Sequence, residues 1–403
     1  SGGIYSPLNG VNNSYINEKS PSTKLYAVWV KNPTVTFAHN PSTLVNGYAK
    51  SSAATVTYSY TNVTSPVYYI KTTRTGTSSV AVTQSCGTSD KPGTCTTITN
   101  TTVLTANTWY KISGNTTVTY NTEASSTGTL YAYTYDGTSA MAQGTGTIPK
   151  IDMSSPSISI DTVAATDNNI TISYKLSDQS GIGSYTCNYG KEEPPYISSG
   201  NANYSSNATS VSTTNCTLSG LSPNKEYYYK VCATDKVGNV STCKTGTVKT
   251  ALVKSVTSSG TTYFTSLKDA INTAINSKVG TTITLMDTTS EYITISNNAE
   301  NDNVIVDFNS KTLNGTIVNF NTKSSLILKN GTISGGNGRA IYNDGPLTIT
   351  NMHLKSSTTE FNEAILNTET GHIVMNDTNI TSGTTYALNN SSTSQVNRIN
   401  YHN

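Results

Sequence analysis

Charged residues are scarce in this chain of 403 residues: they account for 12% of it, and the formal net charge is +2. A surface that binds nucleic acid or an anionic membrane needs clustered Lys and Arg, which this composition does not supply. The sequence contains no apolar run long enough to cross a bilayer, no secretory leader pattern and no wall-sorting motif. We therefore expect no nucleic-acid partner and no membrane insertion within this chain.

Phe and Trp are also rare, with five and two residues, whereas the chain has 26 Tyr. Together with abundant Thr, Ser and Asn, this bias is typical of β-structure with hydroxyl-rich exposed faces. The length is sufficient for about three domains. We predict an all-β extracellular protein, and the abrupt start and end of the sequence lead us to expect a piece of a longer polypeptide.

The six Cys residues contain no CxxC pair and are accompanied by only four His, which favours disulfides in an oxidising compartment over metal binding. Cys86 and Cys95 bracket the Gly/Pro turn CGTSDKPGTC, and we expect them to close this hairpin as a surface disulfide. No zinc spacing, phosphate loop or nucleophile elbow occurs. We expect neither a metal site nor a cofactor.

The other four cysteines lie within one short region of the chain. Cys232 and Cys243 are symmetric about a Val-Gly pair, as a cross-strand disulfide flanking a hairpin turn would be. This pairing leaves Cys187 with Cys216. Four cysteines nevertheless permit three pairings, so the connectivity stays open at this point.

A short pattern recurs between residues 326 and 390 at a spacing of roughly 20–26 residues. Aligning its copies sets Leu326, Leu347 and Ile373 in one column. The alignment also creates two polar columns, which are Asn330, Asn351 and Asp377, and Asn343, Asn367 and Asn390. Short alternating strands at such a period indicate a solenoid of stacked coils, in which a corner amide can bond the same amide one coil away.

The segments YNDGPLTITN and IVDFNSKTLNG make residues 262–390 resemble the right-handed parallel β-helix of the pectate-lyase-like superfamily, in the form found in bacterial surface proteins. Upstream, residues 251–260 read as a Ser/Thr/Gly linker, and residues 266–277 as the one convincing helix. Ser266 is its N-cap, and its apolar residues fall on one face. In β-helix proteins such a helix covers the first coil, and we predict an N-terminal capping helix here.

Residues 33–152 contain about seven short alternating segments, which favour an immunoglobulin-like β-sandwich. We predict these strands at 34–37, 55–60, 67–71, 79–82, 109–112, 117–120 and 130–135. Before them, SGGIYSPLNGV and the ending LYAVW in residues 1–32 resemble part of an internalin B-type repeat. The alternative for this segment is an irregular arm whose Trp29 docks on the next domain.

Residues 153–250 contain GLSPNKEYYYKVCATDKVGNVS, which resembles the end of a fibronectin type III domain. Leu221, Pro223 and Tyr227 have the spacing of that family's tyrosine corner, in which the phenol bonds to nearby backbone. The segment ITISY, which ends at Tyr174, departs from the family because it replaces the usual Trp of the second strand. We predict tandem β-sandwiches followed by the β-helix at residues 251–403.

The β-helix resemblance also raises an enzyme hypothesis, because polysaccharide lyases and glycoside hydrolases use this fold. Such enzymes need clustered carboxylates, with a calcium ion and a basic residue in a lyase. The candidates are Asp302, Asp307, Arg339, Asp344, Glu360, Glu363 and Asp377. They form no convincing set by spacing, and His353 and His372 are out of register with one another.

The leading interpretation is a non-catalytic bacterial cell-surface protein, a stalk of sandwiches that presents the β-helix for adhesion or glycan binding. Its partners would be host or environmental glycans or surface proteins, bound through the flat faces of the coils. The candidate binding residues are Tyr342, Asn343 and Tyr386, beside a repeated Asn column. A polysaccharide lyase or hydrolase is the alternative, and a spacer that binds nothing is a third.

Overall fold

A computed structural model of the chain describes residues 33–59, 65–135, 141–190, 210–296, 300, 303–335, 338–356, 363–382 and 387–391. These residues are almost entirely β-structure, with one α-helix. The internalin-like segment with Trp29 and the candidate residue Tyr386 lie outside the described ranges. No described helix has the length and apolar character that crossing a membrane requires.

The first group of strands is called here the N-terminal sandwich. Its strands are β1 (Thr34–Asn40), β2 (Tyr48–Ala49), β3 (Ser52–Ser59), β4 (Val67–Thr72), β5 (Gly76–Ser85), β6 (Thr96–Leu104), β7 (Trp109–Ile112), β8 (Thr116–Tyr120), β9 (Gly128–Tyr135), β10 (Met141–Ile148) and β11 (Lys150–Ile151). Most of them pair in the order β1-β3-β8-β5-β7-β4-β9-β10, with β6 attached to β5. β5 and β7 share two residue pairs, so the network folds there into two layers around one core.

The seven predicted strands of this sandwich are present, whereas the two-residue strands β2 and β11 and the longer strands β6 and β10 were not predicted. β6 is rich in Thr and β10 in Gly and Thr, and neither shows a clear apolar alternation, so their sequences carry no clear period. β6 pairs with β5 and β10 pairs with β9. The neighbouring strands, rather than local pattern, make these segments extended.

Tyr120 shows how the N-terminal sandwich buries a polar side chain. The residue is 2% exposed, and its hydroxyl donates a hydrogen bond of 3.1 Å to Thr72 Oγ1. Burial raises the pKa of Tyr120 to about 12, because the phenolate would lose its hydration, and the Thr72 bond and the Arg74 charge offset only part of this. The neutral phenol is therefore the form that this core accepts.

The second sandwich consists of two three-stranded antiparallel sheets. Its strands are β12 (Ser157–Ala165), β13 (Asn169–Ser177), β14 (Ile182–Gly190), β15 (Ser210–Ser219), β16 (Glu226–Asp235) and β17 (Lys244–Lys249). The sheets have the orders β12-β13-β15 and β14-β16-β17. Their inward side chains form a single core.

Two tyrosines support this core in different ways. The backbone N–H of Ser222 donates a hydrogen bond of 2.9 Å to the Tyr227 hydroxyl, which is the contact expected of a tyrosine corner. Tyr174, on the strand where the family's Trp is missing, is fully buried and packs edge to face on Tyr185, with 6.0 Å between ring centroids. A buried aromatic residue therefore still fills the core.

Three disulfides join the six cysteines, in the pairs Cys86–Cys95, Cys187–Cys216 and Cys232–Cys243. The first closes the loop between β5 and β6. The second crosses from β14 to β15 and so connects the two sheets of the second sandwich. The third links β16 to the residue before β17.

The remaining strands form a solenoid. They are β18 (Val253–Thr257), β19 (Gly260–Phe264), β20 (Thr281–Leu285), β21 (Ile293–Ile295), β22 (Val304–Asp307), β23 (Thr312–Asn314), β24 (Ile317–Asn319), β25 (Leu326–Ser334), β26 (Ile341–Asn343), β27 (Pro346–Lys355), β28 (Ile365–Asn367), β29 (His372–Asn376), β30 (Asn379–Thr381) and β31 (Leu388–Asn390). From β20 onward, equivalent strands pair in parallel from one coil to the next.

The register confirms the apolar column predicted from the sequence. Leu326 pairs with Leu347, which pairs with Ile373. A second sheet runs β21-β24-β26-β28-β31 and stacks Ile341, Ile365 and their equivalents. The inward residues of both sheets form one continuous core. The sense of the coil and the superfamily assignment stay predictions.

The two polar columns occupy different places in the coil. Asn330, Asn351 and Asp377 have positive φ angles of 60°, 51° and 44°, at a bend where the left-handed conformation favours Asn and Asp. The other column faces inward, because Asn343 and Asn367 are 0% and 1% exposed. The first column therefore turns the chain, and the second lies inside the solenoid.

The helix α1 (Leu267–Ser277) begins at the predicted N-cap, where Ser266 Oγ accepts a hydrogen bond from the backbone N–H of Asp269. Its buried residues join the solenoid core beside β20 and β22. The Glu291 carboxylate also accepts hydrogen bonds from the backbone N–H groups of Leu267 and Lys268, at 2.9 and 3.0 Å. A negative charge there complements the helix dipole. The capping role of α1 stays a prediction.

Residues 251–260, which we expected to form a linker, contribute to a β-hairpin. Residues 253–257 form β18, which pairs with β19 and also, antiparallel, with β20 of the first coil. The prediction of a linker was therefore wrong: a Ser/Thr/Gly composition suits an edge hairpin as well as a loop. This hairpin occupies the open edge of β20, which would otherwise be free to pair with another chain.

Candidate functional site

Two aromatic side chains of the predicted binding region come together where two coils meet. Tyr342 is the middle residue of β26, and alternation along the strand directs it outward because Ile341 and Asn343 are fully buried. Phe320, just after β24 in the preceding coil, is 41% exposed. The Phe320 and Tyr342 rings are 5.4 Å apart between centroids and inclined at 62°. We call these two residues the aromatic pair.

The aromatic pair has the chemistry of a carbohydrate platform. An aromatic face offers apolar area to the C–H surface of a sugar, while the Tyr342 hydroxyl can donate or accept a hydrogen bond. The residues that pair in register with Tyr342 are Val318, which is buried, and Leu366, which is half-buried. The sequence analysis singled out Tyr342 but missed Phe320, since Phe320 lies outside the repeating columns.

Asn343, the second candidate binding residue, is placed differently from the prediction. Its amide nitrogen donates to Gly345 O at 2.7 Å and to Asn367 Oδ1 at 2.8 Å. Its oxygen accepts from Asn319 Nδ2 at 2.9 Å. Because the side chain is 0% exposed, Asn343 holds coils together and does not contact a ligand. This burial removes it from the candidate binding set.

The inward ladder extends across four coils. Asn319 bonds Asn343, Asn343 bonds Asn367, and Asn367 Nδ2 donates to Asn390 Oδ1 at 2.8 Å. Sequence analysis found the last three members but not Asn319. Each interior amide is satisfied on both sides, so burying it costs little. The ladder is a structural device beneath the aromatic pair.

The basic and acidic candidates for catalysis form separate structural contacts. Arg339 Nε is 2.5 Å from Glu363 Oε1, and the Glu363 side chain is 8% exposed. Asp344 accepts hydrogen bonds from the hydroxyls of Thr368 and Thr370. Of the candidate residues for a lyase, Arg339 therefore pairs with Glu363, and Asp344 is held by two threonines.

Asp307 and Asp377 lie at the bends of the coils. Asp307 is 3.4 Å from Lys329 Nζ and also accepts hydrogen bonds from Asn330 Nδ2. Asp377 is exposed and occupies the positive-φ position of its bend. Asp302 and Glu360 lie outside the described residues. Each described acidic candidate thus has a local role in the coil.

The two histidines of the solenoid are not neighbours in register. His353 is half-buried and pairs with Thr332 and Asn379, whereas His372 is exposed and pairs with Pro346. They occupy different arms of the coil. No shared ligand set follows from them.

The structure brings together one acidic cluster that the sequence analysis did not find. One carboxylate oxygen from each of Asp152, Asp178 and Asp235 lies within 4.8 Å of the others. The three residues are 0%, 8% and 3% exposed. They are far apart in the sequence and show no metal-ligand spacing, so only the packing of the second sandwich against the preceding strand reveals them. We call them the aspartate cluster.

An open groove of about 620 Å³ lies beside the aspartate cluster. Its lining is polar and includes Glu123, Ser154, Asp178 and Gln179. Glu123 accepts a hydrogen bond of 2.7 Å from the backbone N–H of Met153. The groove thus connects the cluster to solvent at the joint between the two sandwiches.

Comparison with known proteins adds little to this description. No protein-family model matches the sequence, and no curated protein matches it. Similar solved structures include titin domains A168–A170, with 11% identity and a TM-score of 0.30. This match covers 55% of this chain and 67% of the chain of those titin domains.

Two chicken structures with fibronectin type III domains are also similar. A two-domain tenascin segment has 15% identity and a TM-score of 0.22, and the match covers 55% of this chain and the whole tenascin segment. Domains FN1–FN3 of CNTN1 have 13% identity and a TM-score of 0.21, and the match covers 51% of this chain and 65% of the CNTN1 chain. At such scores these likenesses carry no argument about fold or function.

Proposed function

We propose that this chain is a non-catalytic segment of an extracellular bacterial surface protein, in which two sandwiches form a stalk that presents the solenoid for adhesion. The proposed units are an internalin-like repeat at residues 1–32, an immunoglobulin-like sandwich at 33–152, a fibronectin type III-like sandwich at 153–250 and a parallel β-helix at 251–403. The three disulfides support an oxidising location outside the cytoplasm.

The observation that carries the proposal is the bonding at the joint between the second sandwich and the solenoid. The N–H of Ala251 donates to Thr166 O in the sandwich at 2.8 Å. One residue later, Leu252 donates to Phe264 O and accepts from the N–H of Met286, both in the solenoid. An ion pair of 3.3 Å between Lys225 and Asp287 spans the same joint. Consecutive residues thus belong to both units, which suits a stalk better than a flexible tether.

The adhesive surface proposed on this stalk is the aromatic pair. Neither Phe320 nor Tyr342 is needed to complete the inner core, since both rings lie outside the inward columns. Two neighbouring aromatics, of which Phe320 is exposed and Tyr342 half-buried, in a chain poor in charge fit a neutral glycan better than a charged polymer. A glycan is therefore the first ligand class to test, and a surface protein is the second.

The proposal is tested by immobilising the full chain and measuring retention of a panel of neutral and uronate polysaccharides, with calcium present. We expect one or more neutral polymers to be retained intact. Tyr342→Ala should weaken this retention at least about tenfold, as truncation of a central aromatic contact does. Tyr292→Ala is the matched control, because Tyr292 is 60% exposed and precedes β21, two coils away from Tyr342 on the same sheet.

The outcomes separate the competing functions. Shortened polymers in size chromatography would establish an enzyme and redirect attention to Arg339, Glu363 and Asp344. Equal weakening in Tyr292→Ala and Tyr342→Ala would remove the aromatic pair from the proposal. No retention of any glycan or of host surface proteins would leave a spacer and contradict the adhesive role.

A further inference from the structure

The aspartate cluster is assembled from three segments that meet at the joint between the sandwiches. Asp152 directly follows β11, Asp178 directly follows β13, and Asp235 is the last residue of β16. The backbone of Asp152 connects both units: its N–H donates to Ala49 O, and its C=O accepts from Asn239 Nδ2, both at 2.9 Å. The cluster is therefore part of the joint itself.

The hydrogen bonds of the cluster come from neutral donors. Asp235 accepts from the N–H and the side chain of Asn239, both at 2.7 Å. Asp178 Oδ1 accepts from the N–H and hydroxyl of Ser180, both at 2.8 Å. Neutral donors stabilise a carboxylate but do not cancel its charge. The four ion pairs found among the described residues involve other carboxylates.

One oxygen in the cluster has no hydrogen-bond partner. Asp152 Oδ1 accepts from Ser154 N and Gln179 Nε2, both at 3.1 Å. Asp152 Oδ2 is buried and has no partner among the described residues. A buried carboxylate oxygen without a donor is costly unless a cation or a proton meets it. This orphaned oxygen indicates a ligand independently of the clustering of charge.

The three carboxyl groups crowd one another, because one oxygen from each lies within 4.8 Å of the others. Two buried carboxylates this close do not both keep their charge without compensation. Either a shared proton or a bound cation must supply it.

We propose that Asp152, Asp178 and Asp235 bind a calcium ion that fastens the joint between the two sandwiches. The donor set is oxygen only, as a hard cation prefers, and lacks the nitrogen or sulfur ligands that zinc favours. Three carboxylates supply more than enough charge for a divalent ion. The adjoining groove, lined in part by Asp178 and Gln179, provides the entry path.

Calcium here would act on the geometry of the stalk. The joint already contains a bond of 2.9 Å from Asn46 Nδ2 to Ser180 O and the parallel pairing of β2 with β11. A cation held by Asp152 on one side, and by Asp178 and Asp235 on the other, ties these contacts together. The proposed calcium site lies entirely in the stalk. The proposal is therefore independent of whether the solenoid binds a glycan.

The test is a calorimetric titration of the metal-stripped full chain with calcium chloride, paired with thermal unfolding in calcium and in chelator. We expect one calcium ion per chain, with a dissociation constant in the range of about 10⁻⁴–10⁻³ M known for extracellular modules. Saturating calcium should raise the Tm of the sandwich transition by about 5 °C or more. Absence of both effects in the unmodified protein would overturn the proposal and leave a shared proton.

Two variants sharpen the test. Asp178→Asn should weaken calcium binding at least about tenfold, yet in chelator it should be as stable as the unmodified protein or more so, because it removes a buried charge. Asp161→Asn is the matched control, since Asp161 pairs with Lys175 on the same sandwich away from the cluster. Unchanged binding in Asp178→Asn would contradict the assignment. Equal effects of magnesium and calcium would contradict calcium selectivity.

Discussion

The two sandwiches consist mainly of antiparallel strands and contain all three disulfides, one of which, Cys187–Cys216, connects two sheets, whereas the solenoid pairs each coil in parallel with the next and contains no cysteine. A ladder of buried amides crosses the coils instead. A repeated coil can place the same side chain at the same site every turn, so one hydrogen bond repeats. A sandwich has no such repeat, so its layers are joined by a shared apolar core and, in the second sandwich, by the single disulfide Cys187–Cys216.

The largest expected effect tests the ladder. Asn343→Leu leaves the amide of Asn319 and the carbonyl oxygen of Asn367 without their buried partners, and each orphaned group costs about 1–3 kcal/mol. We expect a loss of roughly 2–6 kcal/mol in the solenoid transition, measured by denaturant unfolding of the full chain.

The outer column provides the matched control for this prediction. Asn351 is exposed and bonds Asn330 at 3.0 Å. Asn351→Gly removes that bond while Gly still accepts the positive φ angle. We expect a loss below about 1.5 kcal/mol. Equal losses in the two variants would show that the inward ladder has no special role.

The second prediction concerns the disulfide between the sheets of the second sandwich. Cys187 and Cys216 are 29 residues apart, so their replacement by Ala should cost about 3–4 kcal/mol in the sandwich transition through restored chain entropy. Replacing Cys232 and Cys243, which are 11 residues apart, should cost about 1 kcal/mol less. A reductant should leave the solenoid transition unchanged, and a shift of that transition would contradict the comparison.

The smallest effect is a pH dependence confined to the N-terminal sandwich. The folded-state pKa of Tyr120, about 12, lies above that of an exposed phenol, about 10. The folded state therefore holds this proton more tightly, and the stability that the neutral phenol contributes is complete below pH 10. It should be lost as the pH rises toward 12, by about 2–3 kcal/mol.

Tyr120→Phe isolates this effect, because it keeps the ring and removes the titrating group. Unfolding measured between about pH 9 and pH 12, a range that spans both pKa values, should show a steeper decline in stability in the unmodified protein than in the variant. Parallel declines would mean that other groups govern the alkaline stability of this sandwich.

Much of the solenoid could be predicted because its pattern is local and repeated. The column of Leu326, Leu347 and Ile373 and the helix beginning after Ser266 follow from spacing that any coil or helix must satisfy. Tyr227 was predictable for a related reason, since its partner Ser222 lies in the same short motif. The strands β6 and β10 were not, because edge strands of Thr and Gly take their conformation from their partners.

The candidate site was less predictable than the fold. The alternation of β26 directs Tyr342 outward and Asn343 inward, but the recurring Asn column did not by itself tell which polar residues face solvent. Phe320 approaches Tyr342 only because two coils stack, and Arg339 meets Glu363 for the same reason. Contacts between coils depend on bends whose geometry the local sequence does not specify.

The sequence by itself determined the β-rich composition, the repeat period, the N-cap at Ser266 and the tyrosine corner, since each depends on residues close together in the chain. Only the tertiary structure decided that Glu291 meets the start of α1, that Asn343 is buried, and that Asp152, Asp178 and Asp235 converge. The physical reason is that periodicity shows which residues share a face, whereas long-range packing decides which faces meet.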